Sequence, residues 1–151
     1  MTTGNKKFKQ VFVAGEISPA MIADSIAKHS HKKEIGAHSI FLGQVRDDLI
    51  DGKKVVAIDY FCYEEMANEV FHTIREEAFS KFQLTCMHAY HSLGRVEAGK
   101  ISLFVFTSSP HRKNATDACS FVVEEIKKKA PVWGKEILED ESFAWKENKT
   151  L

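Results

Sequence analysis

Two long segments of this chain repeat their apolar residues at a helical period, and the segments around them alternate as strands do. Ala67, Val70, Phe71, Ile74 and Ala78 fall on one stripe of a helix predicted over residues 64–82, with Glu69, Arg75, Glu76 and Glu77 mostly off it. Ala115, Ala118, Cys119, Val122, Val123 and Ile126 form the stripe of a second helix, over residues 110–129, that Pro131 stops. A helix with one apolar stripe must bury it against another layer. The candidates for that layer are strands predicted at residues 8–14, 36–46, 55–63, 84–93 and 100–108. A shorter helix starts at Ser18-Pro19 and runs to about His29, with Met21, Ile22, Ser25 and Ile26 facing inward. Polar segments 47–53 and 94–99 read as hairpin loops, and Phe143-Ala144-Trp145 as an added edge strand. The order β-α-β-β-α-β-β-α predicts a single α+β domain over residues 1–151 with mostly antiparallel pairing.

Composition narrows the function. Lys plus Arg equals Asp plus Glu at 21 each, so a general nucleic-acid binder, which carries a basic excess, is disfavoured. No aromatic RNA-binding motif is present either. No apolar run reaches membrane-spanning length, and Met1 to Lys7 lead into a strand-like segment without a signal-peptide apolar region. Cys62, Cys86 and Cys119 are odd in number and far apart, which fits buried thiols in a reducing cytoplasm. No Cys/His spacing resembles a zinc site, and the pairs His29/His31 and His88/His91 read as structural. On a strand, His88 and His91 point to opposite faces.

The last helix carries basic clusters at both ends. Ser109 reads as its N-cap and Pro110 as its first-turn residue, followed by His111, Arg112 and Lys113. Cations there oppose a helix end that carries about half a positive charge, unless an anion binds between them. At the other end stand Lys127, Lys128 and Lys129, then Ala130-Pro131-Val132-Trp133-Gly134-Lys135-Glu136. Lysines in a last turn complement the helix dipole. The Pro-Val-Trp stretch is expected to bring Lys135 back near that end, where clustered ammonium groups lower one another's pKa and suit acid–base work. Arg46 closes a strand beside Gly43, a setting for bidentate anion recognition.

Several of these motifs resemble, in order, the family of large, catalytic molybdopterin synthase subunits. They are Gly36-Ala37 with Phe41-Leu42-Gly43-Gln44-Val45-Arg46; Tyr63-Glu64-Glu65-Met66-Ala67; His91-Ser92-Leu93-Gly94-Arg95-Val96; Ser108-Ser109-Pro110-His111-Arg112; and Lys127 through Glu136. The resemblance implies an α/β hammerhead-type fold and a homodimer within a heterotetramer. It also implies a small ubiquitin-like sulfur-carrier subunit whose C-terminal Gly-Gly bears a thiocarboxylate. The substrate would be cyclic pyranopterin monophosphate and the product the molybdopterin dithiolene, with no metal or organic cofactor required. Carried over by position, Lys127 and Lys135 are the catalytic candidates. Gln44, Val45, Arg46, His111, Arg112, Gly134 and Glu136 are the substrate-binding candidates. One position departs from the family: Trp133-Gly134-Lys135-Glu136 stands where Trp-Lys-Lys-Glu is common. Lys135 is the expected replacement. A scaffold that holds the carrier without turnover is the rival reading.

Overall fold

The computed structural model describes residues 8–146; the leading segment Met1–Lys7 lies outside them. Its elements are β1 (Phe12–Ala14), α1 (Pro19–Lys28), β2 (Ala37–Gln44), β3 (Leu49–Ile50), β4 (Lys53–Cys62), α2 (Glu64–Lys81), β5 (Cys86–Glu97), β6 (Ile101–Ser109), α3 (Arg112–Lys129), β7 (Val132–Leu138) and β8 (Phe143–Trp145). The sheet order is β2-β6-β5-β4-β7-β8, with β3 on β4 and β1 on β5. Pairing is antiparallel except for β1 with β5. This is the expected single-domain α+β architecture.

Strand alternation divides the core. On β6, Leu103 and Val105 join Met87 and Ala89 of β5 beneath the stripes of α2 and α3. The intervening Phe104 and Phe106 turn to the other face, where Ile17, Met21 and Ile22 cover them. Both predicted stripes are where burial falls: Ala67, Phe71, Ile74 and Ala78 on α2, and Ala115, Ala118, Cys119, Val122, Val123 and Ile126 on α3. Thr107 ties β6 to α3 by donating its buried Oγ1–H to the Ala115 carbonyl at 2.7 Å. A third, smaller cluster, with Val45, Val55, Ile58, Val96 and Leu138, fills the far half of the sheet.

Four local expectations change. Segment 94–99 is not a loop: β5 runs on to Glu97, because Gly94 takes a φ of 80° and lets the strand bend toward β4. The turn is confined to Ala98-Gly99. Ser109 is not the N-cap of α3, because its backbone is committed to the β6 ladder opposite Ala37. His111 occupies the cap position, and Ser109 Oγ accepts from the His111 N–H at 3.3 Å from outside the helix. Ile26 is 44% exposed and off the inner face of α1. The segment after Pro131 is itself a strand, β7, paired with β4 from Val55 to Cys62. Ser18 does cap α1, accepting from the Met21 N–H at 3.2 Å, with Pro19 in the first turn.

Gly36 holds the start of β2 against the loop that enters α3. Its N–H donates to the Ser109 carbonyl at 3.0 Å, and a Cβ there would stand 2.1 Å from the Pro110 oxygen. Gly36→Ala is therefore expected to lower stability by about 1–3 kcal/mol, the usual range for overpacking. A fall in the urea midpoint at unchanged m-value checks this.

Candidate functional site

The two basic ends of α3 open onto different concavities. At its start, Gly36, Pro110, His111, Arg112, Lys113, Thr116 and Asp117 line an open groove. No acidic residue stands in this first turn. Lys113 pairs with Asp117 at 3.0 Å, one turn further on. The groove thus combines a positive helix end, an imidazole and a guanidinium, a set suited to a phosphate.

At the other end, a cavity of about 110 Å³ is lined by Tyr60 of β4, His91 of β5, Ile126 and Lys127 of α3, Val132, Trp133 and Gly134 of β7, Ala130 between α3 and β7, and Lys146 after β8. Lys127 keeps solvent access, but its ammonium sits in a concave wall of protein. Burial lowers its pKa first, the Lys146 charge lowers it further, and Glu124 opposes both. Tyr60 and His91, which line the same cavity, are uncharged at neutral pH. Burial pushes the Tyr60 phenol up, and its hydroxyl donates to Ser102 Oγ at 3.2 Å. His91, whose ring meets Tyr60 edge-on at 5.0 Å, is held down to about 4, chiefly by burial. Its Nδ1–H is assigned as donor to the Ser92 carbonyl at 2.8 Å.

Sequence-predicted residues distribute unevenly around these two concavities. Lys127 and Gly134 line the cavity, and His111 and Arg112 line the groove. Glu136 is 8% exposed on β7, opposite Ile58, and its charge acts on Tyr60. Lys135 does not come to Lys127. In the β4–β7 ladder Gly134 pairs with Tyr60, whereas Lys135 pairs with Asp59 and so projects to the opposite face. There its ammonium lies over the Phe143 ring at 4.4 Å and the Phe61 ring at 5.8 Å. Gln44, Val45 and Arg46 line neither concavity. Val45 is buried in the far cluster, and Arg46 is exposed and paired with Asp48 at 3.2 Å. Gly43 packs closely against β6, where an added Cβ would lie 3.2 Å from Leu103 Cβ. Tyr60, His91 and Lys146 were not singled out as site residues from the sequence. The close approach that a glycine inside a strand invites was the available signal for Lys146.

Another concavity, of about 980 Å³, lies beside the start of α2 and includes Glu64, Glu65, Glu69 and Glu77 with Lys129. Its charge is wrong for an anionic substrate. The fold also gathers His29, Cys86 and His88 within 4.8 Å, a potential ligand set that linear spacing hides. These groups already satisfy one another. Lys9 approaches His88 Nδ1 at 3.3 Å, His88 Nε2 meets His29 Nε2 at 3.1 Å, and His29 Nδ1 reaches the Ser25 carbonyl at 2.6 Å. Lys32 donates to Cys86 Sγ at 3.0 Å. Two flanking ammonium groups further oppose a cation there.

The depressed histidines give a pH signature. His91 and His88 are both held near 4 by burial, below the unfolded value of about 6.5. As pH falls, the unfolded chain takes up protons first, so stability is complete above about pH 6.5 and drains toward pH 4. Urea unfolding at about pH 5 is expected to give a lower free energy than at about pH 7.5, and His91→Gln to narrow the difference.

Comparison with known proteins identifies the family and the fold. The MoaE protein family model matches residues 15–129. The molybdopterin synthase catalytic subunit of Pyrococcus abyssi is 38% identical over 108 residues, 72% of each chain. Catalytic subunit 1 of Aedes aegypti is 40% identical over 117 residues, 76% of this chain and 75% of that one. The chain spans about a third of the longer Drosophila relatives, 31% of the Drosophila willistoni protein. The crystal structure of molybdopterin synthase from Staphylococcus aureus superposes with a TM-score of 0.80 at 30% identity, covering 93% of this chain and 99% of that one. A complex of subunits 1 and 2 of the Helicobacter pylori molybdopterin-converting factor shares the fold, with a TM-score of 0.76 at 21% identity over 92% of this chain and 90% of that one. With a family model spanning most of its length and relatives near 40% identity, the chain belongs to the MoaE protein family, that of the molybdopterin synthase catalytic subunits.

Proposed function

We propose that this chain transfers sulfur from the thiocarboxylated C-terminus of a small ubiquitin-like subunit to cyclic pyranopterin monophosphate, forming the molybdopterin dithiolene. The observation that carries the reading is the Lys127 cavity: a partly desolvated ammonium beside a second cation, with a neutral imidazole and phenol across from it. Such a lysine exchanges a proton more readily near neutrality than a free one, and in its charged form it stabilises an oxyanion. Sulfur arrives on the carrier, so none of the three cysteines has to act as nucleophile. Burial raises the thiol pKa of Cys62 to about 11 and raises that of Cys119 as well, the wrong direction for a thiolate.

The phosphate of the substrate belongs at the His111–Arg112 groove. Arg46, exposed at the far end of β2, is kept as a third anion-binding candidate that a partner chain would have to bring into range. His111 and Lys127 stand sixteen residues apart, with α3 continuous from Arg112 to Lys129, so about 24 Å of helix separates them. One substrate does not bridge that distance along a single helix. A two-fold homodimer resolves it by pairing the groove of one protomer with the cavity of its partner. The rival scaffold reading draws on Gly134, where a common family lysine is missing.

Turnover decides between enzyme and scaffold. With thiocarboxylated carrier and cyclic pyranopterin monophosphate, the chain is expected to yield dithiolene product, and Lys127→Ala to lose about 10²–10⁴-fold in rate while retaining its fold. No turnover by the wild-type chain would favour the scaffold. Retention of most activity by Lys127→Ala would remove that residue from the mechanism. A second assay addresses the shared site. When His111→Ala chains, nearly inactive alone, co-assemble with Lys127→Ala chains, each mixed dimer contains one intact pocket and one doubly damaged pocket, so activity should return. Persistent inactivity of verified mixed dimers would place both groups in a site built by one chain.

A further inference from the structure

Lys146 enters the Lys127 cavity from a neighbouring strand, at the one cross-strand position where no side chain opposes it. Its N–H donates to the Gly134 carbonyl at 2.9 Å, extending the β7–β8 ladder one step beyond the Lys135–Trp145 pair. Residues directly opposite one another in antiparallel strands share a face. Lys146 therefore lies on the side of Gly134, Tyr60 and the cavity, while Lys135 and Trp145 lie on the other. A Cβ at position 134 would meet Ile58 Cγ2 at 3.0 Å, the Tyr60 ring at 3.4 Å and Lys146 Cβ at 3.6 Å. A side chain at 134 and that of Lys146 would thus begin in the same small space.

We infer that Lys146 is the second cationic group of this active site, delivered from beside β7 into the space that Gly134 leaves open, where it tunes Lys127. The inference rests on the reading of Lys127 as the acid–base or charge-stabilising group. The surrounding charges leave this task to Lys146. Glu124, on α3 itself, favours the protonated lysine. From β5 and β4, His91 and Tyr60 face Lys127 uncharged at neutral pH. From β7, Glu136 is buried on the same face, and its charge acts on Tyr60. Lys146 is the nearby cation that works with burial to ease proton loss from Lys127. It acts through Lys127 and is a positioning residue.

Two substitutions test this on the assembled complex: Lys146→Met removes the charge at similar length, and Lys146→Arg keeps it. Thermal unfolding of both variants checks the fold. The first readout needs no turnover. It is the pH dependence of Lys127 acylation by a small anhydride, followed by peptide mass spectrometry. Loss of the neighbouring charge raises the Lys127 pKa, so Lys146→Met should move the acylation midpoint to higher pH and Lys146→Arg should leave it in place. The second readout is the pH–rate profile of dithiolene formation. Whichever limb Lys127 sets should move to higher pH in Lys146→Met. Turnover at neutral pH should fall about tenfold, less than the loss at Lys127 itself. An unmoved acylation midpoint overturns the inference directly. A moved midpoint with unchanged turnover overturns it differently, by removing the role of Lys127 on which it rests.

Discussion

β5 exchanges partners along its length, and the rest of the site depends on that exchange. Residues Cys86 to His91 pair with β6, and residues Gly94 to Glu97 pair with β4. Between them, β1 runs parallel against His91, Ser92 and Leu93. The first half of β5 therefore belongs to the layer beneath α2 and α3, and the second half carries the chain into the β4–β7–β8 part of the sheet. His91 sits at the junction. Just beyond it, Gly94, with a φ of 80°, begins the pairing with β4, whose Tyr60 lines the Lys127 cavity together with Val132, Trp133 and Gly134 of β7.

That arrangement also decides which charges count. The chain is neutral overall, yet its charges are sorted by place. Two cations share the Lys127 cavity, a guanidinium and an imidazole stand at the opposite end of the same helix, and glutamates rim the concavity beside α2. Burial keeps His91 and Tyr60 uncharged, so neither neutralises an anion or competes with Lys127 for a proton near neutrality. Lys129, the third lysine of the run, is instead consumed by its ion pair with Glu125 at 2.6 Å. Lys127 and Lys129 thus have separate fates, set by which side of α3 each one occupies.

A helix with functional groups at both ends fits symmetric assembly well. A two-fold axis roughly perpendicular to such a helix would set unlike ends of the two copies side by side, so one sequence feature would serve twice without bending the helix. The apolar side chains of β2, an edge strand of the sheet with Ile40, Phe41 and Leu42 each more than a third exposed, are consistent with a chain that has further surface to cover.

The helices, most strands, the α+β class and the basic groups at both ends of α3 were legible in the residues, because helical stripes and helix-end charge are local properties. Pro131 likewise marked where α3 stops. What followed it was not legible. The segment from Val132 to Leu138 is short, contains a glycine and two charged residues, and becomes a strand only because β4 offers it a ladder. The register of that ladder, set by pairing with residues more than seventy positions away, sends Lys135 to the face opposite the cavity, and the β7–β8 ladder then places Lys146 beside Gly134. The same holds for His91 with Tyr60 and for His29 with His88. Sequence determines which chemical groups are available and which local conformations they favour. Cross-strand register, which exists only once distant segments pair, determines which of those groups share a face and so which can act together.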